Sequence, residues 1–324
     1  MCTAITYQTK DHYFGRNLDY EITFGESVVL TPRKFPLTYK CVNDICDSHY
    51  AILGMALVAD GYPLYFDAVN EKGLGMAGLH FVGNAHYAEP GSCGRKKEVQ
   101  NISDKADIAP YELIPWILGK CETVEQAKDL LLQTRVVAVP FNSRLPLSPL
   151  HFMIADRKRA IVVEPLKEGL KIYDNPVGVL TNNPPFPFHL ANLNNYINLT
   201  AKPPVNRFSP EIPLESYSRG MGALGLPGDM SSVSRFVRAA FVRANSVSGC
   251  GEKESVHQFF HILGSVEQVR GAVRLESGAY EITTYTSCCN LDRGIYYYRT
   301  YENSQIKAVS MEGNDLEGRS LVEL

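Results

Sequence analysis

The 324-residue chain has no basic segment followed by a continuous apolar run at its start, and no later run long enough to cross a bilayer. A secretory signal and a transmembrane helix are therefore not expected, and the chain reads as cytoplasmic. No CxxC occurs, Cys41 and Cys46 stand too far apart for a zinc knuckle, and Cys288 and Cys289 are adjacent. A structural metal site is not expected, and in a long chain without a signal peptide the eight cysteines are expected to stay reduced, most of them as small buried hydrophobes. There is no Gly/Ser run, Pro-rich spacer, charge block, internal repeat or low-complexity tract, so residues 1–324 read as one domain. Charge of one sign is also scarce. A net charge of -3, with 45% hydrophobic and 21% charged residues, gives no electrostatic pull toward nucleic acid.

What is present is a strand-rich pattern with helices between blocks. Thr3–Tyr7 alternates, Lys10-Asp11-His12 reads as a turn, and Tyr13–Asn17 can return as its partner. Further strand-like runs occupy Ser27–Leu30, Ala51–Met55, Leu64–Val69, Gly75–Leu79, Leu150–Ala155, Ala160–Glu164 and Leu170–Tyr173. Helical periodicity marks Pro110–Leu118, Val124–Leu132 behind the capping box Thr123…Gln126, Ser232–Asn245 and Ser255–Leu263. Strands return at Tyr280–Ser287, Gly294–Thr300 and Gln305–Ser310. Short connections favour antiparallel pairing, which predicts a layered α+β fold rather than a βαβ alternation.

Two stretches match a dinucleotide-loop pattern, Gly73–Gly78 and Gly220–Gly225. The first runs into a strand and the second into Leu226-Pro227-Gly228, so neither opens a helix that would receive a pyrophosphate. Tight turns explain both. His257 and His261 share a helix face but lack the Glu of HExxH, and a solvated face is the simpler reading.

The chemistry concentrates at Cys2. Removal of Met1 would leave a thiol and a free α-amine on one residue, with reference pKa values of about 8.5 and 7.7–8.0, close enough to working pH for the amine to shuttle the thiol's proton. The hairpin folds Gly15-Arg16-Asn17-Leu18-Asp19 back beside it. Arg16 would favour the thiolate and Asp19 would orient the ammonium, although an Arg/Asp pair at a strand end is also a common surface feature.

The start MCTAITYQTKDHYFGRNLDYE, then NEKGLGMAGL, PLSPLHF, DNPVGVLTNNP, SRGMGALGLPGDMSSVSRFVRAAF, FFHILGSVEQ and GIYYYRTYENSQI, resemble the choloylglycine hydrolase family of bile salt hydrolases and penicillin V acylases. The resemblance implies a four-layer αββα N-terminal-nucleophile sandwich, a homotetramer, no cofactor and no metal. It implies Cys2 as nucleophile, Arg16 and Asp19 as activator and orienting carboxylate, Asn182 as side-chain oxyanion donor and Arg235 as the second active-site arginine. His80 stands where bile salt hydrolases carry asparagine and penicillin V acylases tyrosine. Its backbone N–H remains as an oxyanion donor, while a charged imidazolium would attract a sulfonate or carboxylate.

The loops Tyr20–Phe24, Val58–Leu64 and Ala138–Phe141 offer Tyr20, Ile22, Phe24, Tyr62 and Phe141 for an apolar acyl group. Ser218 and Arg219, before the GLPGD block, resemble the family's glycine-conjugate pattern. Three readings follow: a hydrolase of glycine- or taurine-conjugated bile acids, a penicillin V acylase, and a non-catalytic bile-acid binder. The five polar residues together disfavour the binder. Glu89–Asp104, with Cys93 and Arg95-Lys96-Lys97, reads as a solvated loop.

Overall fold

The computed structural model describes residues 1–42, 45–46, 48–91 and 105–324, with the backbone alone at Ile45. The expected loop Glu89–Asp104 lies outside the described residues from position 92 onward.

Two antiparallel sheets lie face to face. The first runs, edge to edge, Val179–Leu180, β1 (Cys2–Gln8), β2 (His12–Tyr20), Ile282–Asn290, Ile295–Thr300 and Lys307–Ser310. The second runs Gly169–Asp174, Ala160–Leu166, Leu150–Ala155, Gly75–His80, Tyr62–Asn70, Ile52–Ala59, Ser27–Thr31 and Val322–Glu323. Helices α4 (Ser232–Asn245) and α5 (Glu252–Gly264) cover the first sheet, burying Phe236, Ala239, Phe259 and Leu263 in a core shared with both sheets. Helices α1 (Leu113–Leu118) and α2 (Val124–Leu132) cover the other side, packing Ile114, Ile117 and Leu131 on Ile52, Met76 and Ile154. Each fully buried phenylalanine contributes roughly 1.5–3 kcal/mol from apolar area alone. The layered α+β fold expected from the residue pattern is observed, as the four-layer αββα sandwich that the family resemblance implies.

Local chemistry explains several boundaries. Thr123 caps α2 by accepting from Gln126 N, while the Gln126 side chain accepts from Glu122 N at 2.7 Å. Ser231 caps α4 by accepting from Ser234 N. Pro110–Leu118 divides into a 3-10 turn, Pro110–Glu112, and α1. Gly15 is required where β2 crosses Ile282–Asn290, since a Cβ there would stand 2.1 Å from Ser287 O. Gly73, at φ +85, makes the turn before Gly75–His80, so the first glycine-rich stretch serves a hairpin.

Cys2, Cys121, Cys288 and Cys289 are buried and free, and Cys46 and Cys250 are free. Cys41 corrects the expectation of uniformly reduced cysteines, because it is disulfide-bonded. Chain length does not decide the redox state of a cysteine: two thiols that the fold brings within reach pair wherever an oxidant is present. His257 and His261 are exposed, and no group of three or more metal-ligating side chains occurs among the described residues. No helix there is long and apolar enough to cross a membrane.

Candidate active site

Pairing places the polar cluster. β1 pairs with β2 in the register Cys2↔Leu18 and Ala4↔Arg16, which brings Arg16 and Asp19 beside the chain start. On the other side β1 pairs with Val179–Leu180, Ala4 opposite Leu180, so Thr181 and Asn182 emerge next to Cys2. The first turn of α4 closes the cluster from above. Asn182 N donates to Ser232 Oγ at 2.8 Å, and Arg235 lies one turn into the helix.

Cys2, Arg16, Asp19, Asn182 and Arg235 are all buried; Asn182 and Arg235 are hydrogen-bonded to the Cys2 backbone, Asp19 approaches Arg235 as an ion pair, and Arg16 is held separately. Cys2 N donates to Asn182 Oδ1 at 2.8 Å. Arg235 donates to Cys2 O and Thr3 Oγ1 at 2.6 Å each and to Asn182 Oδ1 at 2.7 Å, with Asp19 Oδ2 3.8 Å from its NH1. Asp19 Oδ1 accepts from the Thr283 hydroxyl at 2.6 Å. Arg16 donates through NH1 to Gly78 O at 2.5 Å and Phe66 O at 3.2 Å, while its buried NH2 has no hydrogen-bond partner. Nearby Asp67 accepts from Tyr285, Ser287 and Tyr296 hydroxyls at 2.5, 2.8 and 2.9 Å; burial still pushes its carboxyl up, against the pull of Arg16.

Met1 is in place, and its ammonium donates to Asp19 O at 2.7 Å and is ion-paired with Glu281. Burial lowers the proton affinity of that amine, with Arg235 and Arg16 lowering it further and Cys2 and Asp19 opposing.

Cys2 and Arg16 form the polar end of a cleft whose walls are apolar, among them Leu18, Tyr20, Phe24, Leu64, Phe66 and Phe141. Of the expected pocket residues, Tyr20, Phe24 and Phe141 line it, and Tyr62 stands behind Phe141 with ring centroids 6.1 Å apart. Ile22 is 56% exposed and is not part of the cleft lining. Ser218 and Arg219 lie in an exposed segment outside the cleft lining. Sequence reading missed Leu145, Pro146 and Leu147, which supply part of the wall without any periodic signal.

His80 lines the cleft edge-on to Tyr20, with ring centroids 5.5 Å apart. Burial pushes its imidazole down to about 4, and the terminal ammonium, Arg16 and His151 push in the same direction. The ring is therefore neutral near pH 7, which corrects the expectation of an imidazolium that attracts anions: the charged form loses more hydration than any neighbour returns. His80 O accepts from Asn182 Nδ2 at 2.7 Å.

Two further buried histidines support this arrangement and carry no sequence motif. His151 bridges Glu164 Oε1 at 3.1 Å and Thr181 O at 2.9 Å while stacking on Phe81 at 4.2 Å. His189 Nε2 lies 3.0 Å from Asn182 O and its ring stacks on Phe236 at 4.6 Å, so His80 and Asn182 are both flanked by buried aromatic packing.

The family profile of linear amide C–N hydrolases, choloylglycine hydrolase family, matches residues 2–323. The bile salt hydrolase/transferase of Lactiplantibacillus plantarum is 54% identical over 322 residues, covering 99% of this chain and 96% of that protein. The bile salt hydrolase/transferase of Clostridium perfringens is 39% identical over 324 residues, covering 99% and 95%. A solved mutant of the conjugated bile acid hydrolase from Clostridium perfringens superposes with a TM-score of 0.89 at 39% identity, covering 100% of this chain and 96% of that one. The penicillin V acylase from Agrobacterium tumefaciens shares the fold, with a TM-score of 0.74 at 19% identity over 99% of this chain and 90% of that one. With nearly its whole length matched in sequence and in fold, the chain belongs to the choloylglycine hydrolase family and is a hydrolase of linear amide C–N bonds.

Proposed function

We propose that the protein cleaves the amide bond of glycine- or taurine-conjugated bile acids through Cys2 as an N-terminal nucleophile after Met1 is removed. The observation that carries this reading is the position of Cys2 and Arg16 at the polar end of an apolar cleft, in a chain 54% identical to a bile salt hydrolase/transferase. A steroid acyl group is broad and apolar, and its conjugated head group is charged. The cleft matches that division, with aromatic walls and a cationic end.

The freed α-amine takes the Cys2 thiol proton, and the thiolate attacks the amide carbonyl. One hydrogen of Asn182 Nδ2 is engaged by His80 O, and the other is available to the tetrahedral oxyanion together with the His80 backbone N–H. The α-ammonium then protonates the departing amine, leaving a thioester. The same amine activates water to release the bile acid. Arg16, with an unpartnered NH2, supplies positive charge at the thiolate. No step in this sequence calls for a cofactor.

Neutral His80 offers the leaving group a hydrogen bond rather than a charge. Ser218 and Arg219 lie outside the cleft lining, so the glycine preference expected from them rests on the family pattern rather than on the cleft. Self-association into a homotetramer, which the family resemblance implies, is supported by the exposed apolar side chains of Ile197, Val205, Phe208 and Tyr217, at 78%, 76%, 82% and 86%. Light scattering on the purified protein tests it.

The decisive experiment is amine release from glycocholate, taurocholate and penicillin V in parallel, on protein whose N-terminal residue is verified as Cys2 by mass spectrometry. Faster release from either bile conjugate is the expected result. A penicillin V lead makes the protein an acylase, and silence on all three rejects the reading.

A further inference from the structure

Removing Met1 takes away the only cation paired with Glu281 among the described residues. Glu281 is 4% exposed, and its Oε1 is ion-paired with the Met1 ammonium but has no hydrogen-bond partner. A buried carboxylate stripped of its counter-charge is strongly disfavoured. The nearest replacement is the amine that processing creates, since Cys2 N lies no further than the span of one residue, about 3.6 Å, from the position of Met1 N. As an ammonium it keeps its bond to Asn182 Oδ1 and gains two more donors, with the space toward Asp19 O and Glu281 vacated.

The charges facing that amine come from four elements. Cys2 itself lies on β1, Arg16 and Asp19 on β2, Arg235 on α4, and Glu281 immediately before the strand Ile282–Asn290, while His80, at the end of Gly75–His80, faces the amine as a neutral ring. Asp19 accepts from the Thr283 hydroxyl through Oδ1, and its Oδ2, which has no hydrogen-bond partner, already has a cation in Arg235 at 3.8 Å. Arg16 and Arg235 both disfavour an ammonium here. Glu281 is the carboxylate left without another cation.

Resting on the N-terminal-cysteine reading above, we propose that Glu281 is the counter-ion of the catalytic α-amine in the processed enzyme, a positioning residue that sets the pH at which this amine is free to take the thiol proton. The proton passes from Cys2 Sγ to Cys2 N, giving thiolate and ammonium, and Glu281 stabilises the ammonium without exchanging atoms. Its negative charge raises the proton affinity of both members of the pair, which titrate as a unit.

The test uses Glu281→Gln and Glu281→Asp, each with an N-terminal Cys2 confirmed by mass spectrometry. Two pH profiles are measured: kcat/KM for glycocholate, and the rate of Cys2 alkylation by iodoacetamide, which needs no knowledge of the substrate. Glu281→Gln should move the acid limb and the alkylation midpoint to lower pH by about one unit, and Glu281→Asp should restore most of that shift. Coincident wild-type and Gln midpoints overturn the proposal, as does an Asp variant that titrates like the Gln variant. A merely structural role lowers the rate at every pH and leaves the midpoints in place, which also overturns it. If no bile conjugate is cleaved yet the alkylation midpoint shifts, the counter-ion stands and the substrate reading fails.

Discussion

Arg235 decides which way round the side-chain amide of Asn182 lies. Its NH2 donates to Asn182 Oδ1 at 2.7 Å, and Cys2 N donates to the same oxygen at 2.8 Å. With the oxygen held by two donors, the Nδ2 group is forced toward His80 O and the cleft, the orientation an oxyanion donor needs. Asn182→Ala should therefore lower kcat by about 10²–10³-fold with a much smaller change in KM. Steady-state kinetics on a bile conjugate checks it, and a loss confined to KM contradicts the assigned role.

Cys2→Ser keeps the size and hydrogen bonding of the residue but replaces the thiol with a far less acidic hydroxyl. Turnover should fall by at least about 10³-fold. The fold should persist, since Cys2 is anchored through its backbone N and O rather than through sulfur. Near-UV circular dichroism and a urea midpoint close to wild type would confirm that the loss is chemical.

His151→Phe retains the stack on Phe81 but strips both polar contacts, leaving Glu164 and Thr181 O short of a buried partner. Glu164 keeps the Phe186 N–H at 3.0 Å, so a destabilisation of about 1–3 kcal/mol is expected. Glu164→Leu on top of it should cost much less than it does alone, because the two side chains form one pair. Urea unfolding of the double-mutant cycle measures this coupling, and additive losses would refute it.

Stability should fall on acidification between about pH 6.5 and 4. His80 and His189 are both held down to about 4 by burial, so in that window the unfolded chain binds protons that the folded chain refuses. Above about 6.5 both states are neutral at these positions and the contribution is fully present. His80→Asn should lessen the decline by up to about 1 kcal/mol per pH unit, read from urea midpoints at pH 4.5, 5.5 and 6.5. An unchanged slope would mean that His80 titrates normally.

Much of this architecture is legible in the residues. The β1–β2 hairpin follows from alternation and a polar turn, and α4 begins and ends where Ser231 and the loss of periodicity place it. The strand Val179–Leu180 is not legible, being two residues long, yet it sets the position of Asn182. Helix α3 (Phe186–Asn192) hides behind Pro184, Pro185 and Pro187, which read as loop until Pro185 is seen at its N-cap. The pairing of His151 with Glu164 is invisible because both sit in strand-like runs whose mutual register only the sheet reveals. Ile22 illustrates the converse limit: closeness in sequence to Tyr20 and Phe24 does not determine which way a loop side chain faces.

The cluster around Cys2 is assembled from partners 180 and 233 positions away, and its sheet is completed by the pairing of β2 with Ile282–Asn290. During synthesis Cys2, Arg16 and Asp19 are among the first residues made, whereas Asn182, Arg235 and the strand Ile282–Asn290 come much later. At about 5–20 residues per second, the interval from Cys2 to Ile282 is roughly 15–60 s. For most of that interval the Cys2 backbone lacks the Asn182 and Arg235 partners that hold it in the folded protein. Assembly of the cluster is thereby tied to completion of the polypeptide: a chain that stops before α4 has Cys2 but neither the Arg235 that holds its carbonyl nor the strand that completes its sheet.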